Sequence, residues 1–192
     1  MRRVNAVLFA LIVLINGYVI VTPFVPSFFW HPNQQQTAHL TQLIHATPTK
    51  TASLTASPQP NHVVIPSMLL DQPIYDGPAW QQYSILNKGI WRYAKGSSPD
   101  KGGNTVLIGH RFTYTTPKGV FYYLDKVKLG DEIGLWWNNH QYLYSVTSTN
   151  QVVPTDTAIE NNTAQPQLTL FTCTPVWLPK YRLVVVAKLE QP

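Results

Sequence analysis

From residue 62 onward, turn signals recur between short β-rich runs, and no long apolar pattern of helical period interrupts them. Short strands separated at close intervals by Gly, Pro, Asn and Asp are typical of all-β sandwiches and barrels. A helix of ordinary length would need apolar side chains at a period of 3.6 residues, which this part of the chain does not offer. The pattern therefore predicts an all-β domain and leaves barrel and sandwich open.

The predicted strands lie where β-branched and aromatic residues alternate between turns. The clearest pair is 132–137 and 141–147, each with apolar side chains at every second position. Asn138 and Asn139 between them predict a hairpin turn, because asparagine tolerates left-handed backbone angles. The sequence further predicts strands at 62–66, 68–75, 105–109, 168–173 and 182–189, one helical turn at 79–86, and long loops at 87–104 and 154–166.

The charge of the chain is unevenly distributed. It carries 14 Lys and Arg against 9 Asp and Glu, for a formal charge of +5. Arg2, Arg3 and Lys50 precede the predicted domain, so only 11 basic residues face the 9 acidic ones from residue 62 onward. No clustered basic stripe of the kind that nucleic-acid binding needs is visible. Nucleic acid is therefore not an expected partner.

Residues 4–30 contain no charged side chain and are long enough to cross a bilayer, which takes roughly 20 mainly apolar residues. Arg2 and Arg3 precede them, so the positive-inside rule keeps the amino terminus in the cytoplasm. A cleaved signal peptide would have a shorter apolar region, about 7–15 residues, and a small-residue cleavage site. No clear Ala-x-Ala site is present, which favours residues 1–30 as an uncleaved, single-pass anchor in the cell membrane. Under either interpretation the remainder is extracellular.

Residues 31–61 are rich in Thr, Gln, Pro, Ser and Ala and contain no acidic residue. Such a composition cannot bury enough apolar surface to fold alone, which predicts a flexible stalk. Fully extended, the segment would reach about 100 Å. It would either carry the following domain, residues 62–192, away from the membrane or serve as a linker without a selected role. The sequence does not separate these two interpretations.

The only cysteine, Cys173, lies at the end of the predicted strand 168–174, which Pro175 prevents from continuing. An exported chain with one cysteine cannot form an internal disulfide. Its thiol is then a reactive group, one half of an intermolecular bridge, or a small buried core residue. The position at a strand end, where a side chain can meet a cleft, does not decide among these.

Two further polar residues lie at strand edges. His110 follows Val-Leu-Ile-Gly, and Arg182 opens Arg-Leu-Val-Val-Val. An imidazole or guanidinium stabilises a thiolate nucleophile, a histidine can protonate a leaving amine, and an arginine can hold an oxyanion. Each residue also has a plainer interpretation, as a core cysteine, a turn histidine or a solvated arginine. The other histidines show no partner pattern, and no Cys/His spacing resembles a zinc site.

Five short segments carry a joint signature. They are Lys-Gly-Ile-Trp-Arg-Tyr at 88–93, Gly-Asn-Thr-Val-Leu-Ile-Gly-His-Arg at 103–111, Leu-Gly-Asp-Glu-Ile at 129–133, Leu-Thr-Leu-Phe-Thr-Cys-Thr-Pro at 168–175, and Arg182, nine residues after Cys173. Together they resemble the sortases, the cysteine transpeptidases of the bacterial cell surface. The 168–175 string is similar to the family's Thr-Leu-x-Thr-Cys signature, and 103–111 to its histidine block. The Gly-His-Arg and Thr-Cys-Thr-Pro strings are most similar to class D and E enzymes.

The resemblance implies a closed eight-stranded β-barrel that brings the three strand ends together. It implies that Cys173 attacks the Thr–Gly amide of a Leu-Pro-x-Thr-Gly-like sorting signal in a surface protein or pilin. The thioacyl intermediate would be resolved by an amine of a peptidoglycan precursor or of a pilin lysine. His110 would act as general acid and base, and Arg182 would position the substrate or stabilise the oxyanion.

The same resemblance assigns four residues to substrate binding. Thr172 and the N–H of Thr174 would complete the oxyanion site, and Arg111 would contact the substrate. Trp177, in the loop before the last strand, would pack either on the sorting peptide or on its own loop. Some sortases bind calcium through clustered acidic residues, whereas those of this chain are scattered except for one adjacent pair. Neither a metal nor another cofactor is therefore predicted.

Other functions remain as alternatives. A catalytically idle sortase-like module would share the barrel and only bind surface peptides, without forming a thioacyl adduct on Cys173. An L,D-transpeptidase carries its histidine close to its cysteine, in a Ser/Thr-His-Gly-x-Cys string, whereas Phe171 and Thr172 directly precede Cys173 here. Papain-like proteases place the cysteine before the histidine, which is the reverse of the order in this chain.

Overall fold

The computed structural model describes residues 2–46 and 60–191, and its centre is a closed barrel of eight strands. The strands are β1 (His62–Ile65), β2 (Leu70–Tyr75), β3 (Ile90–Arg92), β4 (Asn104–Ile108), β5 (Glu132–Trp137), β6 (His140–Val152), β7 (Gln167–Thr174) and β8 (Tyr181–Gln191). Around the barrel they follow the order β1-β2-β3-β4-β7-β8-β6-β5, and β5 pairs with β1 to close it. The expected all-β class and eight-stranded barrel are confirmed.

Successive residues of a strand point to opposite faces of the sheet, and the two faces of β7 pack in different surroundings. Leu168 and Leu170 are fully buried in the barrel core. Phe171 lies on the outer face, where it packs with Val184 in a second apolar cluster. Cys173 has the same outward parity as Phe171. The end of β7 therefore presents its thiol on the outside of the barrel.

The hairpin between β5 and β6 forms as the sequence predicts. Asn138 and Asn139 have φ angles of 50° and 65°, the left-handed values that a tight hairpin turn requires. By contrast, the prediction of a continuous loop over residues 87–104 is wrong, because β3 lies within it. Trp91 in β3 is 1% exposed, and its indole N–H donates to the Gly77 carbonyl at 3.1 Å. A three-residue strand is too short to show alternation.

The amino-terminal residues form an apolar helix that the barrel does not cover. α1 (Arg2–Val21) continues through a 3₁₀ turn (Thr22–Phe24) into α2 (Val25–Phe28). Residues 2–28 are long and apolar enough to cross a membrane, and the most apolar window within them contains no buried residue. An apolar helix of this length suits the predicted anchor, whereas its orientation stays a prediction.

The prediction of a flexible stalk over residues 31–61 is wrong for α3 (Gln34–His45). Its first turn is capped by the Asn33 side chain, and Leu40 and Ile44 are buried against Val64 on the outside of the barrel. The His45 Nε2 atom lies 2.8 Å from a carboxylate oxygen of Glu132 in β5. The helix forms because the barrel covers an apolar stripe that could not fold alone. Residues 47–59 of the predicted stalk lie outside the described residues. Another short helix, α4, spans Gln82–Leu86.

Candidate active site

Strand register places the histidine, the cysteine and the arginine side by side. β4 and β7 are parallel, with Ile108 opposite Phe171, so His110 and Cys173 each lie two residues beyond a matched pair. β7 and β8 are antiparallel, and Cys173 is directly opposite Arg182. Neighbouring strands lie about 4.8 Å apart, so the three residues form one row across three adjacent strand ends. We call this the His–Cys–Arg row.

All three residues of the row line one cavity of about 400 Å³. Part of its lining is apolar and belongs to the outer face of the sheet, including Tyr93, Ile108 and Phe171. Asp156 and Glu160, from the connection between β6 and β7, also line it. The cavity therefore offers an apolar surface beside the Cys173 thiol. It also contains two carboxylates, which come from a different connection of the chain.

The arginine makes a direct contact with the thiol. Arg182 Nη1 donates to Cys173 Sγ at 2.7 Å, and the cysteine is half-buried. A guanidinium stays protonated at any physiological pH, so this contact stabilises negative charge on the sulfur. A thiolate is the nucleophilic form of cysteine, so the contact places a positive charge where the sulfur would carry negative charge during a reaction.

Burial has a different effect on the histidine. It lowers the pKa of His110 below the ordinary value of 6.5, because the protein interior solvates an imidazolium less well than water does. At pH 7 the imidazole is therefore mostly neutral, with one ring nitrogen free to accept a proton. A neutral imidazole in the same cavity as a thiol is suited to act first as a base and then as an acid.

Thr172 holds the ends of β4 and β7 together. It is 1% exposed, and its hydroxyl donates to the Gly109 carbonyl at 2.7 Å. Gly109 precedes His110, and Thr172 precedes Cys173, so the bond lies one residue before each member of the pair. The hydroxyl has one proton, which this bond uses. The Thr172 hydroxyl thus braces the two strand ends, and Thr172 also lines the cavity, so its contribution to an oxyanion site stays a prediction.

A second link lies one residue beyond the pair. Arg111 Nη1 donates to Thr174 Oγ1 at 2.7 Å, and Arg111 Nη2 lies 3.0 Å from a carboxylate oxygen of Asp125. Thr174 is buried, and the Arg111 side chain is 12% exposed. The side chains of Arg111 and Thr174 thus bond to each other inside the fold, and their predicted role in substrate binding stays a prediction. Their arrangement positions the strand ends on which His110 and Cys173 lie.

Trp177 lies in the connection between β7 and β8 and is 43% exposed. It is not among the described residues that line the cavity. The lining instead includes residues that we did not predict, such as Tyr83, Trp91 and Tyr93 near β3. Burial, followed by the Glu160 carboxylate, raises the pKa of Tyr93 above its usual 10.0, so this phenol stays protonated. The 88–93 string was recognised in the sequence, but nothing in its pattern showed that it borders the cavity.

Comparison with known proteins decides the family. A family model described as the sortase domain matches residues 63–190. The chain is a member of the sortase family. Its barrel agrees with this assignment, because the described strands of this sortase superimpose on solved sortase structures.

The relatives of this sortase belong to several named types. Sortase SrtE1 of Streptomyces coelicolor is 30% identical over 142 residues, which are 66% of this chain and only 39% of that protein. Sortase A of Bacillus anthracis is 24% identical over 207 residues, covering 98% of this chain and 95% of that protein. The structure of Listeria monocytogenes sortase A gives a TM-score of 0.59 at 26% identity, over 70% of this chain and 89% of that one. Sortase C-1 of Actinomyces oris gives 0.62 at 25% identity, over 84% and 86%.

These relatives show the family and not the class within it. Names of types A, C and E occur among proteins of similar identity to this sortase. The resemblance of two short strings to class D and E enzymes therefore stays a prediction. What the comparisons establish is a sortase domain, homologous to the sortase cysteine transpeptidases.

Proposed function

We propose that this transpeptidase cleaves a Leu-Pro-x-Thr-Gly-like sorting signal at the carboxyl end of a surface protein or pilin. The acceptor is an amine of a peptidoglycan precursor or of a pilin lysine. One observation carries the proposal, namely the 2.7 Å contact between Arg182 and the Cys173 thiol within a cavity that His110 also lines. The apolar part of the cavity suits the Leu-Pro portion of such a signal. The Gly-His-Arg and Thr-Cys-Thr-Pro strings support a class D or E assignment.

The first half-reaction forms the thioacyl enzyme. Neutral His110 takes the thiol proton of Cys173, and the sulfur attacks the carbonyl carbon of the substrate threonine. The carbonyl electron pair moves to oxygen, and Arg182 stabilises the resulting negative charge. When the intermediate collapses, the carbon–nitrogen bond breaks, and His110 gives its proton to the leaving glycine amine.

The second half-reaction reverses these roles. The acceptor amine attacks the thioacyl carbon, and His110 removes a proton from the attacking nitrogen. The carbon–sulfur bond then breaks, and the electron pair returns to the sulfur of Cys173, where Arg182 stabilises it. The proton held by His110 restores the resting thiol–imidazole pair.

Residues 1–30 serve in this proposal as an uncleaved signal anchor. Arg2 and Arg3 would lie in the cytoplasm, and the barrel would lie outside the cell. Support comes from the exposed apolar helix at residues 2–28. The mass of the chain purified from membranes tests this assignment, because a cleaved signal peptide would remove the first residues.

A Cys173→Ala variant tests the chemistry. It should lose cleavage of a Leu-Pro-x-Thr-Gly reporter, and a thiol-alkylating reagent should abolish cleavage by the wild-type chain. Mass spectrometry of the wild-type chain with reporter should detect a thioacyl adduct on Cys173. Full activity in the alanine variant would refute the transpeptidase mechanism. Peptide binding without an adduct would favour the idle binding module instead.

A further inference from the structure

The end of the apolar helix is joined to the barrel by buried polar contacts. The Tyr122 hydroxyl donates to the Pro23 carbonyl at 2.7 Å and lies 2.8 Å from the Ser27 hydroxyl. The Tyr123 hydroxyl donates to the Pro26 carbonyl. Prolines interrupt the helical hydrogen-bond ladder, which leaves carbonyls available for such outside donors. Residues 22–30 are therefore a fixed joint and not a free tether.

An aromatic contact completes this joint. The rings of Trp30 and Tyr123 have centroids 4.0 Å apart at an interplanar angle of 42°. Tyr122 is 2% exposed, and Pro23 is buried although it lies at the end of an exposed helix. The Lys118 ammonium lies 5.1 Å from the centroid of the Tyr123 ring. A cation therefore lies beside the point where the anchor meets the barrel.

The tyrosines of the joint belong to the connection between β4 and β5, which contains His110 at its start. The Phe121 N–H donates to the His110 carbonyl at 3.0 Å, and the Gly119 N–H donates to the Arg111 carbonyl at 3.1 Å. Both ends of this β4–β5 connection lie at the barrel end where β4 and β7 finish, since β5 runs antiparallel to β6 and β1. The anchor thus meets the barrel at its catalytic end.

The depth of the joint in a bilayer follows from the helix. With the two arginines in the cytoplasm, a crossing of about 20 apolar residues reaches the outer interface close to Pro23. Phe28 and Phe29 are 74% and 75% exposed just beyond it, and Trp30 follows. Aromatic side chains at this position are typical of the membrane–water interface. Because hydrogen bonds of ordinary length join Tyr122 to Pro23, the barrel surface around that tyrosine must lie at the same depth.

We infer that the catalytic end of the barrel rests on the outer lipid surface of the bilayer that holds its own anchor. The contact is a docking patch formed by Phe28, Phe29, Trp30 and Lys118, whose aromatic rings enter the interface and whose ammonium faces lipid phosphates. The inference rests on the proposed anchor. Its consequence is that the cleavage site operates at a fixed height, close to the membrane. Residues 31–46 then run along the barrel and do not lift it away.

Depth measurement on a spin label tests the docking. In a Cys173→Ser background the full chain has no other thiol, so Lys118→Cys places a single nitroxide in the docking patch. Lys101→Cys is the matched control, because Lys101 is also an exposed lysine and precedes β4 at the opposite end of the barrel. Both chains are reconstituted in vesicles of phosphatidylcholine and phosphatidylglycerol. Power-saturation electron paramagnetic resonance then compares collisions with oxygen, which concentrates in lipid, and with a water-soluble nickel chelate.

We expect an oxygen-to-nickel accessibility ratio several-fold higher at position 118 than at position 101. Equal, fully aqueous ratios at the two positions would overturn the docking. The chain labelled at position 118 is also made with ten Gly and Ser residues inserted between His31 and Pro32. It should keep the high accessibility ratio, because the joint sets the height of the barrel above the membrane. A fall to the value at position 101 would show that the segment after the joint sets it, contrary to the inference.

These outcomes are separable from the proposed function. Reporter cleavage by the wild-type chain in the same vesicles tests the transpeptidase without any label. Cleavage combined with an aqueous label at position 118 would refute the docking alone. A chain mass lacking the first residues would refute the anchor on which the docking rests.

Discussion

Replacing Thr172 by valine tests whether the strand ends hold the cysteine and histidine in reach of each other. Valine has the shape of threonine without its hydroxyl, so the substitution deletes one hydrogen bond and creates no cavity. The bond runs from Thr172 Oγ1 to the Gly109 carbonyl at 2.7 Å, and the threonine is 1% exposed. Water therefore cannot replace the lost donor without entering a closed strand pair.

The expected loss of stability follows from that geometry. A buried carbonyl left without its donor costs about 1–3 kcal/mol in the free energy of unfolding. For a barrel of this size, each kcal/mol shifts the Tm by roughly 4 °C, so we expect Thr172→Val to melt about 4–12 °C below the wild type. Thr172→Ser is the control, because serine keeps the donor and loses only a methyl group.

The catalytic loss should exceed what instability alone explains. The bond lies one residue before both His110 and Cys173, and a displacement of order 1 Å between reacting groups costs about 10²-fold in rate. We expect kcat on a reporter peptide to fall by about that factor at a temperature where the variant is fully folded. KM should change little, because the cavity wall stays in place.

Two measurements on the full chain in detergent decide the matter, namely thermal unfolding followed by circular dichroism and steady-state cleavage of the reporter. A Thr172→Val chain with the wild-type Tm and kcat would refute the reasoning. A lower Tm with unchanged kcat would show that the bond stabilises the barrel without positioning the pair. Thr172→Ser should resemble the wild type in both measurements.

Three further predictions concern other contacts. Arg182→Met keeps the length of the side chain but removes the guanidinium from the thiol, and kcat should fall by about 10²–10³-fold in steady-state assays while KM stays within a few fold; an unchanged kcat would exclude a role in charge stabilisation. Because burial lowers the pKa of His110, its neutral form contributes stability that is complete above the unfolded pKa near 6.5 and is lost as the pH falls through the folded pKa. His110→Asn should therefore show a smaller fall in Tm between about pH 7.5 and pH 5 than the wild type, and an identical fall would contradict the pKa shift. Ile44→Ala in α3 should lower the free energy of unfolding by about 2–4 kcal/mol, since Ile44 is 2% exposed against the barrel, whereas a free stalk would predict no change.

Local sequence patterns predicted many of the strands of the barrel. Strands β5 to β8 have clear alternation or unbroken β-rich runs, and the turn at Asn138 and Asn139 carries its own backbone preference. Each of these features can be recognised in a window of a few residues. β3 was missed because three residues cannot display a period, and its burial depends on neighbours far away in the sequence.

The docking of α3 shows a different limit. Leu40, Leu43 and Ile44 have the spacing of an apolar helical stripe, yet in isolation the segment is too polar to fold. Its stability comes from Val64 and other barrel residues, which no window around α3 contains. The joint at Tyr122 and Pro23 is likewise a contact between segments almost a hundred positions apart.

The sequence predicted which residues form the candidate site but not the strand register that brings them together. The order of His110, Cys173 and Arg182 and their family strings identify the three residues. Their adjacency depends on the parallel pairing of β4 with β7, which is separated in sequence by the whole of β5 and β6. No local pattern contains that register. The three-dimensional row is therefore the information that the structure adds.

Strand geometry determines where the side chains on either side of Cys173 point. Thr172 and Thr174 flank Cys173, and alternation turns the side chains on either side of an outward cysteine toward the inner face. The structure has both inward, bonded to Gly109 and Arg111. Whether a position of β7 faces inward or outward therefore predicts the effect of substituting its residue. Substitutions at inward positions should change the Tm and kcat together, whereas polar changes at the outward cysteine should change kcat and leave the Tm almost untouched. A cysteine at this position can line an open cavity without weakening the barrel, because the side chains that hold the strand in place face the opposite side.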